Sequence, residues 1–260
     1  MLPSCGDGAA RPSGARAASP RGDARGGVGL LLMGVELRRR LLAELLGSAL
    51  LAAVVVGSGI AAARLSPGDV GLQLMENAVA TAAGLFTIIL MFGPVSGAHF
   101  NPVVSLVDAA FGGITRRETL AYMSVQLVGC VAGAMLANMM FSHGVASIAT
   151  THRATGGHVL AEVVATAGLL LLIFSLARTG RATAAPAAVG AYIGAAYWFT
   201  SSTSFANPAI TVGRMFSDTF AGIAPASAPA FVAAQLAGGA VALVLIRALY
   251  PAVSPVVAAA

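Results

Sequence analysis

The amino-acid sequence predicts an all-α membrane protein, with six transmembrane helices and two re-entrant half-helices arranged as an inverted repeat. Three observations support this prediction. The chain of 260 residues is 57% hydrophobic and 10% charged, whereas a soluble domain is about 25% charged. Apolar runs of roughly 20 residues, the length that crosses a bilayer, recur along the chain. An Asn-Pro pair also follows an apolar run twice, at Asn101 and at Asn207.

The net charge of +5 does not indicate a nucleic-acid partner. The arginines lie in the N-terminal segment and at the ends of apolar runs, which is typical of membrane orientation rather than of phosphate binding. The two cysteines, Cys5 and Cys130, lie in a tail and inside an apolar run, so we expect no disulfide framework. The histidines show no metal-site spacing, and we expect neither a metal ion nor a cofactor.

Residues 1–36 form the first of three predicted segments. Four arginines lie there among Gly, Ala, Pro and Ser, and the segment lacks the continuous apolar core of a signal peptide. This composition predicts a disordered tail. Met33, followed by GVELRRRLLAE, is a natural translation start, so we hypothesise that residues 1–32 are not translated.

The predicted spans follow from the apolar runs and the polar segments between them. They cover approximately residues 41–63, 74–92, 119–141, 158–177, 184–200 and 228–249. The piece after each Asn-Pro pair has about ten residues, so as a helix it rises about 15 Å. Two such half-helices placed end to end would make one crossing of about 30 Å.

Arginine placement predicts the orientation of the spans. Six spans put both termini on one side, and the loops of that side carry more arginines than the loops of the other. The first side has Arg38, Arg39, Arg40, Arg116, Arg117, Arg178, Arg181 and Arg247; the second has Arg64, Arg153 and Arg214. By the positive-inside rule both termini are cytoplasmic, in the inner membrane of the cell.

The two halves of the sequence repeat each other, which assigns residues 37–150 to a first repeat and residues 151–260 to a second. Each repeat has a Glu in its first span, an Asn-Pro pair, and a Gln in its last span. These pairs are Glu44 with Glu162, Asn101-Pro102 with Asn207-Pro208, and Gln126 with Gln235. Because each repeat has three spans, the second is inverted, and the functional site lies at the midplane where the repeats meet.

The Asn-Pro pairs indicate the chemistry of this site. Asn caps a helix well, and Pro at the first helical position gives up an N–H that would have no partner. Both half-helices therefore begin in the middle of the membrane, with positive dipole ends and the Asn101 and Asn207 carboxamide donors facing a pore centre that includes Pro102 and Pro208. A neutral, hydroxylated solute accepts hydrogen bonds there, whereas a cation meets a positive potential.

Two other classes of function fit less well. A secondary transporter can also be built from inverted repeats and broken helices, but it needs a coupling site. Glu76, near a span end, is the one acidic residue of the predicted spans besides the paired glutamates. An enzyme needs a nucleophile with a base or a set of metal ligands, and the sequence shows neither pattern.

The stretch SGAHFNPVVS at residues 96–105 resembles the first signature of the aquaporin or major intrinsic protein family, which usually reads SGxHxNPAV. The second motif, at residues 207–209, is a full Asn-Pro-Ala. The resemblance covers residues 37–250. It implies a right-handed bundle of six helices with two half-helices, usually a homotetramer in the lipid bilayer, in which each protomer has its own passive pore for small neutral solutes.

The resemblance also implies roles for residues outside the motifs. Glu44 and Glu162 resemble buried glutamates that support the re-entrant loops through hydrogen bonds. His99 matches a common family position near the cytoplasmic pore wall, where a loop-stabilising hydrogen bond is the better reading and a pH gate is the alternative. Gln126 and Gln235 would either support a small pore or only form interhelical hydrogen bonds, and we favour packing.

The sequence departs from the family at the outer constriction. An arginine normally follows the second Asn-Pro-Ala, and Ile210 stands in its place. Thr81 aligns with the span-two position where water channels carry Phe, and Ser204 would offer a carbonyl from the loop. The span-five position stays open between Ala195, Ala196 and Tyr197.

Such a filter is wide and apolar for this family, and it favours uncharged solutes larger than water. Glycerol-like polyols and urea-sized molecules belong to this class, as do trihydroxy arsenite and antimonite. Bacterial members that read Asn-Pro-Ala-Val-Thr here are associated with arsenic resistance, and this sequence is similar to them. The alternative is a strict water channel.

Arg214 lies four residues after Ile210, on the same helical face one turn further out. One hypothesis makes it an electrostatic guard at the extracellular vestibule, replacing part of the missing arginine. The other makes it an interfacial arginine paired with Asp218.

Overall fold

The computed structural model describes the backbone of residues 24–251 and the side chains of residues 36–251. The chain divides into two units, Met1–Glu36 and Leu37–Ala260. The α-helices of the described residues are α1 (Ala24–Leu65), α2 (Val70–Ser96), α3 (Pro102–Ala110), α4 (Arg116–Met140), α5 (Gly156–Arg178), α6 (Ala185–Phe199), α7 (Pro208–Gly213) and α8 (Ala228–Leu249). Short 3₁₀ turns cover Ala182–Ala184 and Arg214–Phe216.

The N-terminal part of α1 differs from the expected tail. The backbone is helical from Ala24, because a run without proline leads directly into the first span. Residues 1–23 of the predicted tail lie outside the described residues. The hypothesis that residues 1–32 are not translated stays a prediction.

Five helices among the described residues are long and apolar enough to cross a membrane: Glu36–Leu65 of α1, and α2, α4, α5 and α8. The predicted fifth span, α6, has 15 residues and therefore rises about 22 Å. The helix agrees with the predicted bounds of 184–200 to within one residue at each end, but it is shorter than the roughly 20 residues expected of a span. Pro186 lies in its first turn, and beyond Phe199 the chain leaves the helix for the second re-entrant loop.

The inverted repeat is visible in how the spans pack. A Cβ atom added to Gly129 of α4 would lie 2.5 Å from the carbonyl oxygen of Leu45 in α1, and one added to Gly238 of α8 would lie 2.6 Å from that of Val163 in α5. The two glycines follow the matching glutamines by three residues. Small residues at these crossings let the helix backbones touch, which is how helices associate in lipid.

Both re-entrant loops adopt the same unusual backbone. Before α3, Ala98 and Phe100 have positive φ angles of 53° and 49°; before α7, Ser204 and Ala206 have φ angles of 51° and 47°. Non-glycine residues in this left-handed region cost about 1–3 kcal/mol each. The two loops hold this conformation because side chains from the spans bond their backbone.

The glycine crossings give a test of the repeat. Gly238→Ala places a methyl group against the Val163 carbonyl and the Thr166 side chain, so we expect it to destabilise the detergent-solubilised protein by about 1–3 kcal/mol. The control is Gly93→Ala in α2, where an added Cβ meets nothing within 4 Å. Thermal unfolding followed by size-exclusion chromatography measures both variants. Equal midpoints for the two would contradict the packing described.

Candidate functional site

The two Asn-Pro pairs begin the two half-helices. The Asn101 side-chain oxygen accepts a hydrogen bond from the backbone N–H of Val103 at 3.0 Å. The Asn207 oxygen accepts from the N–H groups of Ala209 and Ile210 at 2.9 and 3.3 Å. Pro102 and Pro208 occupy the first helical positions. The predicted capping chemistry therefore describes both half-helices.

The same two asparagines also join the loops to each other. The Asn101 side-chain nitrogen donates to the carbonyl of Ala206 at 2.7 Å, and the Asn207 nitrogen donates to the carbonyl of Phe100 at 2.8 Å. Each amide nitrogen has two protons, so one proton fixes the opposite loop and the other remains for a solute. The sequence predicted the donors but not this reciprocal bond, which joins residues more than a hundred positions apart.

Glu44 holds the first loop. Its side chain is fully buried and accepts four hydrogen bonds, which come from the Ser96 hydroxyl (2.6 Å), the N–H groups of His99 (3.0 Å) and Phe100 (2.7 Å), and the Gln126 amide (2.8 Å). A carboxylate at membrane depth is costly unless its oxygens are satisfied in this way. The bonds fix two N–H groups of the left-handed loop.

Glu162 repeats this arrangement in the second loop. It is also fully buried, and its four donors are the Ser202 hydroxyl (2.6 Å), the N–H groups of Phe205 (2.9 Å) and Ala206 (2.8 Å), and the Gln235 amide (2.6 Å). The structure therefore places both glutamates where the resemblance puts loop support.

The two glutamines belong to the same networks. Besides the glutamates, Gln126 donates to the Ser105 hydroxyl at 3.1 Å and Gln235 donates to the Thr211 hydroxyl at 2.9 Å. Both hydroxyls lie in the first turn of a half-helix. Each glutamine therefore forms interhelical hydrogen bonds, the alternative favoured from the sequence, and these bonds also tie a glutamate to a half-helix.

His99 lies at one end of the cavity that runs past both asparagines. Its Nδ1 is 3.0 Å from the Ser105 hydroxyl, and its Nε2 is 3.7 Å from a carboxylate oxygen of Asp108. Asp108 also lines this cavity, and the sequence analysis missed it. Asp108 follows Ser105 by three residues on α3, so the two side chains lie on the same face of the helix. This spacing is the sequence signal that could have identified Asp108.

The cavity has a volume of about 210 Å³. The end with His99 and Asp108 also contains Ala177 of α5 and Ala185 of α6. The rest of the wall combines apolar side chains with the polar groups of the two loops. Apolar lining residues include Leu51, Val55, Leu85, Ile89, Val104, Leu169, Ile173, Val189 and Ile193.

The other end of the cavity contains the predicted filter residues Thr81, Tyr197, Ser204 and Ile210. The hydroxyls of Thr81 and Tyr197 are 3.1 Å apart and share a hydrogen bond. Tyr197 is therefore the span-five residue at the filter. A large aromatic ring with a polar end stands where the sequence also allowed an alanine.

Ala195 lies elsewhere, and its assignment to the filter is wrong. It is exposed and faces a shallow outer groove between α2 and α6, beside Trp198. Side chains two positions apart on an α-helix are separated by a rotation of about 200° around the helix axis, so they lie on nearly opposite faces. Once Tyr197 faces the cavity, Ala195 must face outward.

Arg214 lines the same end of the cavity and is 2% exposed. Its Nε donates to the carbonyl of Ala221, and its guanidinium carbon lies 3.4 Å from the centre of the Phe205 ring. Asp218 instead accepts hydrogen bonds from the backbone N–H and the hydroxyl of Thr150. The hypothesis of an interfacial arginine paired with Asp218 is therefore wrong.

A second arginine lies near this end, outside the cavity wall. Arg153, in the segment between α4 and α5, donates to the carbonyls of Gly222 at 2.7 Å and Phe220 at 3.0 Å. Burial lowers the pKa of its guanidinium, while the nearby Tyr197 and Glu162 act in the opposite direction. From the sequence, Arg153 contributed only to the predicted orientation of the spans.

The described residues offer no metal centre. No group of three or more His, Cys, Asp or Glu side chains within residues 36–251 is arranged to hold a metal ion. Cys130 is fully buried, and its thiol contacts the backbone carbonyl of Ser48 at 3.6 Å.

The loop networks give a second prediction. Glu162→Gln replaces an acceptor oxygen by a donor, which leaves at least one buried N–H without a partner and should cost about 1–3 kcal/mol for each such group. We expect a clear fall in the thermal midpoint of the purified protein. The control is Glu76→Gln, since Glu76 bonds Ser66 outside the cavity, and it should change the midpoint less. A midpoint for Glu162→Gln equal to that of the unmodified protein would contradict the network.

Comparisons with known proteins agree with this geometry. The profile of the family described as "Major intrinsic protein" matches residues 32–205. Aquaglyceroporin AqpS of Rhizobium meliloti (strain 1021) is 46% identical over 222 residues, which cover 85% of this chain and 94% of that protein. The glycerol uptake facilitator protein of Pseudomonas aeruginosa is 31% identical over 215 residues, covering 71% of this chain and 75% of its own length.

A solved structure shares the fold. The X-ray structure of the aquaglyceroporin from Plasmodium falciparum superposes with a TM-score of 0.62 at 19% identity, covering 81% of this chain and 95% of that one. At this identity the likeness concerns the fold alone. The family profile and the full-length similarity to AqpS carry the assignment: the chain belongs to the major intrinsic protein family.

Proposed function

We propose that the protein is a passive membrane channel for glycerol and other small uncharged solutes. The observation that carries this proposal is the cavity that passes both Asn101 and Asn207 and ends at Thr81, Tyr197 and Arg214. Polar groups lie along an otherwise apolar wall, so a polyol can exchange hydrogen bonds with the wall while its carbon side meets apolar surface. The names of AqpS and of the glycerol uptake facilitator support the same class of solute.

The structure changes the expected character of the filter. The sequence suggested a wide, apolar filter without an arginine, but the Arg214 side chain reaches the cavity from one turn beyond Ile210. With the Thr81, Tyr197 and Ser204 hydroxyls, it gives the filter four polar side chains. Neutral molecules with several hydroxyls suit this lining, and we include trihydroxy arsenite in the proposed class on that ground.

A secondary transporter is the alternative from another class. Its coupling site would have to be an acidic group on the solute path. Glu76 instead accepts a hydrogen bond from the Ser66 hydroxyl at 2.7 Å, and it is not among the residues of the cavity wall. The acidic residue that does line the cavity, Asp108, lies beside His99 at one end. These positions favour the channel.

We further propose that the protein lies in the inner membrane with cytoplasmic termini and assembles as a homotetramer. The arginine distribution supports the orientation. For assembly, the support is the exposure of α2: in its most apolar window 22% of the residues are buried, against 61% for Glu36–Leu65 of α1. Its exposed side chains include Met75, Val79, Leu90 and Met91.

Stopped-flow light scattering on proteoliposomes tests the channel. We expect glycerol and urea flux well above that of empty liposomes, unchanged by proton or sodium gradients. Ile210→Trp should abolish this flux, because the added ring fills the cavity beside Asn207. The control Val244→Trp, at an exposed position of α8 outside the cavity wall, should keep the flux within about twofold, as expected for a surface substitution.

Three outcomes would contradict the proposal. Fast water flux without glycerol flux would indicate a strict water channel. Flux that depends on an ion gradient would indicate a transporter. Flux that survives Ile210→Trp would place the path outside this cavity.

Arg214 gives a separate prediction about charge exclusion. A buried guanidinium at the cavity wall repels protons and cations, so Arg214→Ala should raise proton leak into proteoliposomes, measured with a trapped pH-sensitive dye. The vacated space should also raise the ratio of glycerol to water permeability. If neither proton leak nor this ratio changes, Arg214 does not act as the guard.

A further inference from the structure

We infer that Arg153 is a positioning residue for the filter, which sets the place of the Arg214 guanidinium and thereby the solute selectivity. Arg153 is outside the cavity wall, in the connection between α4 and α5. The inference rests on the proposed channel function and names a residue that controls it from a distance.

The first observation is a run of three backbone carbonyls that two arginines share. Arg153 donates to the carbonyls of Phe220 and Gly222, and Arg214 donates to the carbonyl of Ala221 between them. The carbonyl that orients Arg214 is therefore flanked on both sides by carbonyls that Arg153 fixes.

The second observation is a shared aromatic ring. The guanidinium carbon of Arg214 lies 3.4 Å from the centre of the Phe205 ring, and that of Arg153 lies 5.6 Å from the same centre. Phe205 is buried in the second re-entrant loop, two residues before Asn207, and its N–H bonds Glu162. Both arginines thus contact one residue of the pore loop.

Arg153 is itself held at its backbone. Its N–H donates to the Ser227 hydroxyl at 3.0 Å, and its carbonyl accepts from the His158 ring at 2.6 Å. The neighbouring Thr151 carbonyl accepts from the N–H of Ala224 at 2.8 Å. The connection between α4 and α5 is therefore bonded to the segment that follows Arg214 at several points.

The arrangement of charges explains how Arg153 affects the position of the Arg214 guanidinium. Among the described residues, neither guanidinium lies within ion-pair distance of an acidic side chain. Two like charges beside one ring repel each other, and the carbonyl bonds together with the Phe205 ring keep each guanidinium in place. A filter group needs to be held to within about 0.5 Å, so losing the Arg153 bonds should let Arg214 leave its position at the wall.

A double-mutant cycle tests the inference. Arg153→Gln should shift the ratio of glycerol to water permeability in the same direction as Arg214→Ala, by about threefold or more, which is typical of coupled neighbours. In the Arg214→Ala background, Arg153→Gln should have no further effect on the ratio. A loss of fold stability alone would reduce both permeabilities together and leave their ratio unchanged.

The matched control is Arg64→Gln. Arg64 also donates to a backbone carbonyl, that of Phe141, and its guanidinium carbon lies 5.2 Å from the Phe141 ring centre. It contacts none of the filter residues described, so the ratio should not change. If Arg153→Gln does not yield folded protein, Ser227→Ala is the second variant. It removes the hydroxyl that accepts a hydrogen bond from the Arg153 backbone N–H, leaves the guanidinium intact, and should shift the ratio in the same direction.

The outcomes separate the inference from the function. Absence of glycerol flux in the unmodified protein would overturn the proposed channel function. Normal flux with an unchanged ratio in both Arg153→Gln and Ser227→Ala would overturn the role of Arg153. A shift that persists fully in the Arg214→Ala background would show that Arg153 does not act through Arg214.

Discussion

Two buried carboxylates make the rest of this structure possible. In the hydrocarbon region of a membrane, each unpaired backbone N–H costs several kcal/mol, so irregular chain survives there only where protein satisfies it. Glu44 and Glu162 each accept two backbone N–H groups of a re-entrant loop, and each receives two further side-chain donors. Without them two backbone N–H groups of each re-entrant loop would lose their partners.

The remaining features of the site depend on the two loops being held in place by these carboxylates. Once both loops are held, Asn101 and Asn207 can cap the half-helices and bond the opposite loop at the same time. The two helix N-termini then meet at the centre of the chain's cavity, where their positive ends oppose cations. The spans supply an apolar wall, and Thr81, Tyr197 and Arg214 supply polar groups near one end.

The sequence predicted the parts of this arrangement that repeat. The Glu, Asn-Pro and Gln residues located the loops and their supports. The local sequence is enough to indicate the role of each, and each occurs once in each half of the chain. Side-chain placement over longer distances was harder. Tyr197 could not be chosen over Ala195 or Ala196 until the rotation of α6 about its axis was known.

Arg214 shows most clearly what the sequence could not provide. Its position one turn beyond Ile210 was visible, but whether a long flexible side chain reaches the cavity or the lipid interface depends on its neighbours. Phe205 and the Ala221 carbonyl decide this, and the segment that contains Ala221 has no strong sequence signal. The reciprocal bonds between the loops were equally hidden, since they join the two halves of the chain.

A high-resolution structure determined in the presence of glycerol tests the central claim most directly, namely that solute passes between the two asparagines under the control of Arg214. The account predicts solute density within hydrogen-bond distance of the Asn101 and Asn207 amide nitrogens, with the Arg214 guanidinium against the Phe205 ring at the cavity wall. An empty, closed space between the asparagines, or an Arg214 side chain turned out to the lipid interface, would contradict it.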